Sequence, residues 1–161
     1  MKIQIRKGVF ETNSSSTHAL CIGKKKFTTQ KQDVIKFGVL TNSNYWTAKQ
    51  DVQYRADLLY AAMINSYDTI KTLANIGKLA KMLTELEIEY SFNTNEDYLE
   101  NNLPCIDNNE WVDIVLDSPD NLINYLFNDN SKFITMDRDE VYRQGGWENI
   151  VNTNKCEIYS V

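Results

Sequence analysis

The run Thr47-Ala48-Lys49-Gln50-Asp51-Val52-Gln53-Tyr54-Arg55-Ala56-Asp57-Leu58-Leu59-Tyr60-Ala61-Ala62-Met63 decides the fold class, because here the apolar period of the chain changes from two residues to between three and four. Thr47 and Gln50 stand at capping-box spacing, and Val52, Ala56, Leu59 and Met63 follow as one apolar face. The pattern predicts a helix over about 48–65. Past Asn65 and Ser66, the positions Ile70, Leu73, Ile76, Leu79 (or Ala80) and Leu83 recur at three and four residues and predict a second amphipathic helix over about 68–84. Two helices joined by so short a turn are expected to pack antiparallel, with their apolar stripes covering a sheet.

Strand signals flank this helical hairpin. Lys2 to Arg6 alternates polar and apolar, His18 to Gly23 is an apolar run closed by glycine, and Asp33 to Leu40 is a third run. Residues 1–41 therefore read as an antiparallel meander whose first two strands are joined by a hydroxyl-rich loop. From Glu85 to Phe92 the period returns to two, with Leu86, Ile88, Tyr90 and Phe92 on one side and Glu85, Glu87, Glu89 and Ser91 on the other. Residues 93–109 read as a polar loop around a short helix at 96–101, and Glu110 to Leu116 as a helix. Ser118-Pro119-Asp120 is a helix start, and Lys132 to Met136 and Lys155 to Ser160 are late strands with a turn at Gly145-Gly146-Trp147. The expected fold is one α+β domain over 1–161, a mainly antiparallel sheet with a central pair of amphipathic helices packed on one face. It divides into a meander at 1–41, the hairpin at 47–84 and mixed elements at 85–161.

Composition narrows the function classes. At 161 residues, 42% hydrophobic and 11% aromatic, the chain has the make-up of a folded domain and not of a disordered segment. A net charge of −5 argues against a general nucleic-acid binder, which needs a basic face to neutralise phosphates. Lys24-Lys25-Lys26 is the one basic run, either a solvated loop tip or a local anion contact. No stretch of about 20 apolar residues is present, so a cytoplasmic protein with no membrane contact is expected. Cys21, Cys105 and Cys156 lie far apart and are odd in number, which predicts reduced thiols. A zinc site using His18, Cys21, Cys105 and Cys156 is the alternative, weakened because only His18 and Cys21 form a close ligand pair. No metal and no cofactor are expected.

Chemistry concentrates in Arg6-Lys7-Gly8-Val9-Phe10-Glu11-Thr12-Asn13-Ser14-Ser15-Ser16-Thr17-His18, which holds the single histidine. Thr12, Asn13, Ser14, Ser15 and Ser16 offer hydroxyl, amide and backbone donors to an anion, with Arg6 as the fixed positive charge. If the loop doubles back, Glu11 and His18 can act as a general acid and base. The plainer reading is a polar turn, since neither a phosphate-binding glycine-lysine signature nor a dinucleotide fingerprint accompanies it. Glu85, Glu87 and Glu89 form the other candidate surface. Side chains two apart on a strand are separated by nearly 7 Å, so the row suits a solvated face or a basic partner and not a shared ion.

The segment Arg6-x-Gly8-x-Phe10-Glu11-Thr12-Asn13-Ser14-Ser15-Ser16-x-His18 resembles the opening of a set of short proteins from bacteriophages and low-GC bacteria. The resemblance covers about the first tenth of the chain and implies a mobile-element origin, with no activity attached. Asn13-x-Ser15-x-x-His18 is also similar to a nucleotide-contacting segment of glutamine-synthetase-like ligases, but serine stands where those carry glycine, and their arginine and acid partners are missing. Two expectations follow. One is an accessory protein that binds, and thereby inhibits, a host or defence protein through an acidic surface that competes for a basic nucleic-acid-binding groove. The other is a small enzyme or nucleotide- or phosphate-binding protein built on the Arg6–His18 loop.

Overall fold

Every residue from Tyr54 to Met63 in helix α1 (Val52–Ile64) is buried, including a full charge of each sign. A computed structural model describes residues 16–24, 34–39, 50–104, 106 and 109–161, and α1 lies at their centre. The expected one-sided amphipathic helix is thus corrected: α1 is enclosed on all sides. Its start is corrected too. Asp51 caps it by accepting the Tyr54 N–H at 2.9 Å, and Thr47 lies outside the described residues. Gln50 does not close a capping box, because its amide is spent on the backbone of Phe133, donating to the carbonyl and accepting the N–H at 2.8 Å each.

The two buried charges explain how a polar helix can be central. Arg55 is 1% exposed, and its Nε and Nη2 donate to Leu126 O at 3.0 and 2.8 Å while Nη1 donates to Ser131 O at 3.1 Å and to Gln50 O. Leu126 belongs to the last turn of helix α5 (Pro119–Phe127), whose carbonyls lack helical partners and whose dipole favours a cation. Burial pushes the guanidinium below its ordinary range, while Tyr125, Asp129 and Asp51 pull it back. Asp57 is 0% exposed; its Oδ1 accepts the N–H groups of Gly38 and Val39, and its Oδ2 accepts Gln53 Nε2 at 2.8 Å. One helix therefore ties down two distant backbone segments.

The main sheet has the order β4–β1–β5, with β1 (Ser16–Gly23) central and antiparallel to both β4 (Lys132–Asp137) and β5 (Cys156–Ser160). The late strands fall where the sequence places them. The meander does not: β2 (Ile35–Phe37) pairs in parallel with β3 (Tyr90–Phe92) in a separate two-stranded sheet, not with β1. The Asp57 clamp on Gly38 and Val39 holds its end against α1. The expected strand at Lys2–Arg6 lies outside the described residues.

Both faces of the main sheet are covered. Leu20, Ile22 and Phe133 join the principal core with α1, α5 and α4 (Glu110–Val115). On the opposite face Ala19, Ile134, Met136 and Ile158 meet Val141 of α6 (Arg138–Arg143) and Trp147 of α7 (Trp147–Ile150). Those last two short helices, which the sequence did not suggest, flank the expected turn: Gly145 and Gly146, at φ 79° and 106°, do the turning, and Trp147 begins α7. Helices α3 (Glu96–Asn102), α4 and α5 match expectation, with Ser118 capping α5 by accepting the Asn121 N–H at 3.2 Å. The result is α+β, with seven helices among the described residues.

Helix α2 (Thr69–Glu85) is the second corrected helix. It starts close to where the sequence places it, with Asp68 as its cap, yet buries only Leu79, Met82 and Leu83, and leaves Ile70 and Leu73 82% and 66% exposed. Its C-terminus overturns the expected strand at 85–92. Glu87 N–H bonds to Thr84 O at 3.1 Å and Ile88 N–H to Leu83 O at 2.9 Å, a Schellman closure with Glu87 in the left-handed region at φ 57°. The period-two pattern of apolar residues was real, but its first half is a helix end and only Tyr90–Phe92 is strand.

Arg55→Met, which keeps the volume and removes the donors, is expected to cost about 3 kcal/mol, because the buried carbonyls of Leu126 and Ser131 and the half-buried one of Gln50 lose their partner together. Urea denaturation followed by far-UV circular dichroism would measure it; a loss below about 1 kcal/mol would show that α1 does not depend on this clamp.

Candidate functional site

Of the hydroxyl-rich motif Arg6–His18, only the last three residues, Ser16 to His18, are among those described. Arg6, Glu11, Thr12, Asn13, Ser14 and Ser15 lie outside the described residues, whereas Ser16 and His18 open β1. Both share the face that carries Leu20 toward the core, with Ser16 opposite Asp137 and His18 opposite Thr135. His18 Nδ1 lies 3.0 Å from Thr135 Oγ1, and the ring stacks on Phe133 at 5.6 Å between centroids. Phe133 in turn meets Trp111, which meets Tyr125, so the imidazole is the outermost ring of an aromatic file running into the core.

This arrangement has two chemical uses. An imidazole within 3.0 Å of a hydroxyl has the spacing of a base and its nucleophile, and it is equally the spacing of a structural pair. Asp137 does not orient the imidazole, since its Oδ1 caps α6 by accepting the Asp139 and Glu140 N–H groups at 2.8 and 3.2 Å. Thr135 is the residue that sequence reasoning missed. It stands 117 positions from His18, and only strand register brings the two together.

Strand register also decides the zinc alternative. His18 and Cys21 are three apart on β1 and so point to opposite faces, which prevents the pair from chelating one ion. Cys105 lies outside the described residues. Cys21 shares its face with Cys156 on the neighbouring strand, beneath Val151. Burial, and next the neighbouring Cys156, push the Cys21 thiol up to about 12, and Cys156 Sγ donates to Asn152 O at 3.5 Å. Both cysteines are free thiols. Among the described residues no group of three His, Cys, Asp or Glu side chains is placed to hold a metal.

The acidic candidates keep their exposure and lose their strand. Glu85 ends α2 within 3.9 Å of Lys81 Nζ, Glu87 sits in the Schellman turn, and Glu89 precedes β3. All three are exposed. They open a longer feature, since residues 82–131 contain no Lys, Arg or His while holding twelve of the chain's 22 acids. This charge segregation could have been read from the sequence by scanning for absent bases in place of clustered acids. Of the basic run, Lys24 is tied down, its N–H bonded to Lys155 O at 3.0 Å and its Nζ to Thr153 O at 2.8 Å; Lys25 and Lys26 lie outside the described residues.

Among the described residues, no helix is long and apolar enough to cross a membrane. The comparisons with known proteins return no matching family model, no matching curated protein and no matching solved structure.

Native Cys21 and Cys156 are expected to resist iodoacetamide at pH 8 and to react promptly in urea, because both are buried, and the Cys21 thiol, pushed up to about 12, also supplies almost no thiolate. Peptide-level mass spectrometry reads the result; alkylation of native Cys21 at the unfolded rate would contradict its burial.

Proposed function

We propose that this chain is an accessory protein of a phage or other mobile element that acts by binding, and thereby inhibiting, a host or defence protein in the bacterial cytoplasm. The single observation that carries the reading is the base-free segment 82–131, whose exposed acids span the end of α2, α3, α4 and the start of α5. With no cation inside the segment, neutralisation has to come from elsewhere. Lys71 supplies one contact, bonding Asp113 at 3.0 Å, and most of the other acids face solvent. Such a surface attracts a basic groove, raises the association rate and repels nucleic acid itself. The resemblance of the opening motif to short phage and low-GC bacterial proteins supports the source of the partner. Glu85, Glu87 and Glu89 are the proposed contacts at the amino end of the segment.

A partner recovered from a bacterial lysate at low salt is expected to elute as ionic strength rises. Glu87→Lys with Glu89→Lys is expected to weaken binding about tenfold or more, whereas Asp139→Lys with Glu148→Lys, the same charge change outside the segment, leaves it within about twofold. Binding that ignores salt, or that responds equally to both pairs, would refute an acidic docking surface.

The His18–Thr135 pair favours a second reading, a small enzyme or a nucleotide- or phosphate-binding protein whose site joins this pair to the Arg6–Ser16 loop. In that case His18→Ala or Glu11→Gln abolishes the biological effect while circular dichroism stays native. Full activity in both variants removes it.

A further inference from the structure

Cys21 and Cys156 are two nucleophilic side chains that neither functional reading uses. They are 0% and 2% exposed and stand 135 positions apart in the chain, yet strand pairing sets them together. In the β1–β5 ladder Cys21 lies opposite Ile158 and Cys156 opposite Gly23, so the cysteines are diagonal neighbours on one face of the sheet, in one cluster with Val151. Lys24 N–H bonds to Lys155 O at 3.0 Å and Val161 N–H to His18 O at 3.1 Å, which makes the even-numbered positions of β1 the hydrogen-bonded ones. Cys21 and Gly23 therefore occupy the non-bonded positions, where cross-strand side chains stand closest, and Gly23 puts no side chain directly across from Cys156. After burial itself, the nearness of Cys156 is what pushes the Cys21 thiol up.

We propose that these two thiols form a reversible disulfide that locks the edge strand β5 onto the centre of the main sheet when the surroundings become oxidising. The oxidant is a low-molecular-weight disulfide such as oxidised glutathione. One cysteine thiolate attacks it and releases a first glutathione thiolate, leaving a mixed disulfide; the second cysteine thiolate then attacks the protein sulfur of that bond and releases the second glutathione. Two protein thiols lose two protons and two electrons, and one glutathione disulfide becomes two glutathione thiols. The fold suits a labile bond and not a permanent one. Diagonal neighbours of an antiparallel pair stand about 7–8 Å apart at Cα, just beyond the span a disulfide bridges without movement, so closure draws β5 toward β1 and leaves the bond strained and reducible. β5 is able to move because β1 holds it from one side only. Burial keeps the reduced pair unreactive until that edge opens, so the exchange waits on local opening of the sheet. The same pair of strands carries His18, so closure acts on the ladder that holds the imidazole.

The test is the thiol–disulfide equilibrium of the full chain in glutathione buffers of graded ratio, approached from reduced and from oxidised protein, in native buffer and in concentrated urea, with acid quench and peptide mapping. The Cys21–Cys156 link is expected to be the disulfide found in native buffer, with an equilibrium constant against glutathione about tenfold or more larger than in urea. By the same cycle the oxidised chain is expected to show a higher urea midpoint than the reduced one, to keep its native far-UV circular dichroism, and to return to the lower midpoint in dithiothreitol. Cys156→Ser, which keeps a donor for Asn152 O, is expected to fold and to lose the oxidation-dependent rise. An equilibrium constant no larger in native buffer than in urea, a disulfide that uses Cys105 in place of either cysteine, or an oxidised chain with a lowered midpoint overturns the proposal.

Discussion

The guanidinium of Arg55 is the constraint on which the rest of the molecule depends. A cation 1% exposed and without a carboxylate in its coordination is tolerable only because backbone carbonyls from Gln50, Leu126 and Ser131 converge on it. Each carbonyl belongs to a different piece of the fold: the lead-in to α1, the end of α5 and the bend before β4. Asp57 repeats the device with opposite sign, gathering the N–H groups that follow β2. Hydrophobic burial drives the collapse, but the two charges specify which segments meet α1, because any other packing would strand them in a dry interior.

That specification positions both candidate surfaces. The bend at Ser131, held by Arg55, leads straight into β4, which delivers Thr135 to His18 and Phe133 to the aromatic file. Ser131 also accepts the Gly23 N–H at 2.8 Å and donates to Asn124 O at 2.6 Å, fixing the far end of β1 to α5. Gly23 is required here: a Cβ would fall 2.0 Å from Asn128 Cγ, a side chain itself 1% exposed. The base-free segment packs on α1 through α4 and α5. Among the described residues the one deeply buried cation, Arg55, is bonded to neutral carbonyls, and the acids of the segment lie outside.

Much of the candidate chemistry was legible as residues and illegible as geometry. The lone His18 and the acids at 85, 87 and 89 are visible at once. That Thr135 meets the imidazole is a matter of strand register across more than a hundred residues, and no local pattern carries it. The Glu85–Phe92 alternation shows the converse failure. A period of two was present, but the Ile88 N–H bonds back to Leu83 O of the helix it follows, and a left-handed Glu87 imitates the glycine usually found at such an end. Ile70 and Leu73 mislead for a related reason, since a helical period reports an apolar face without reporting what covers it.

Local chemistry was sufficient for the elements themselves: Ser118-Pro119 starts α5, Asp68 starts α2, a glycine closes β1, and the late strands keep their places. These depend on interactions within four residues or on a short apolar period, and such information is written contiguously in the chain. The pairing of strands, the enclosure of α1, the separation of His18 from Cys21 on opposite sheet faces and the exposure of the α2 stripe were decided only when the elements packed. Each is set by the burial cost of a charge or by a register between remote segments, quantities that exist only once the interior has closed.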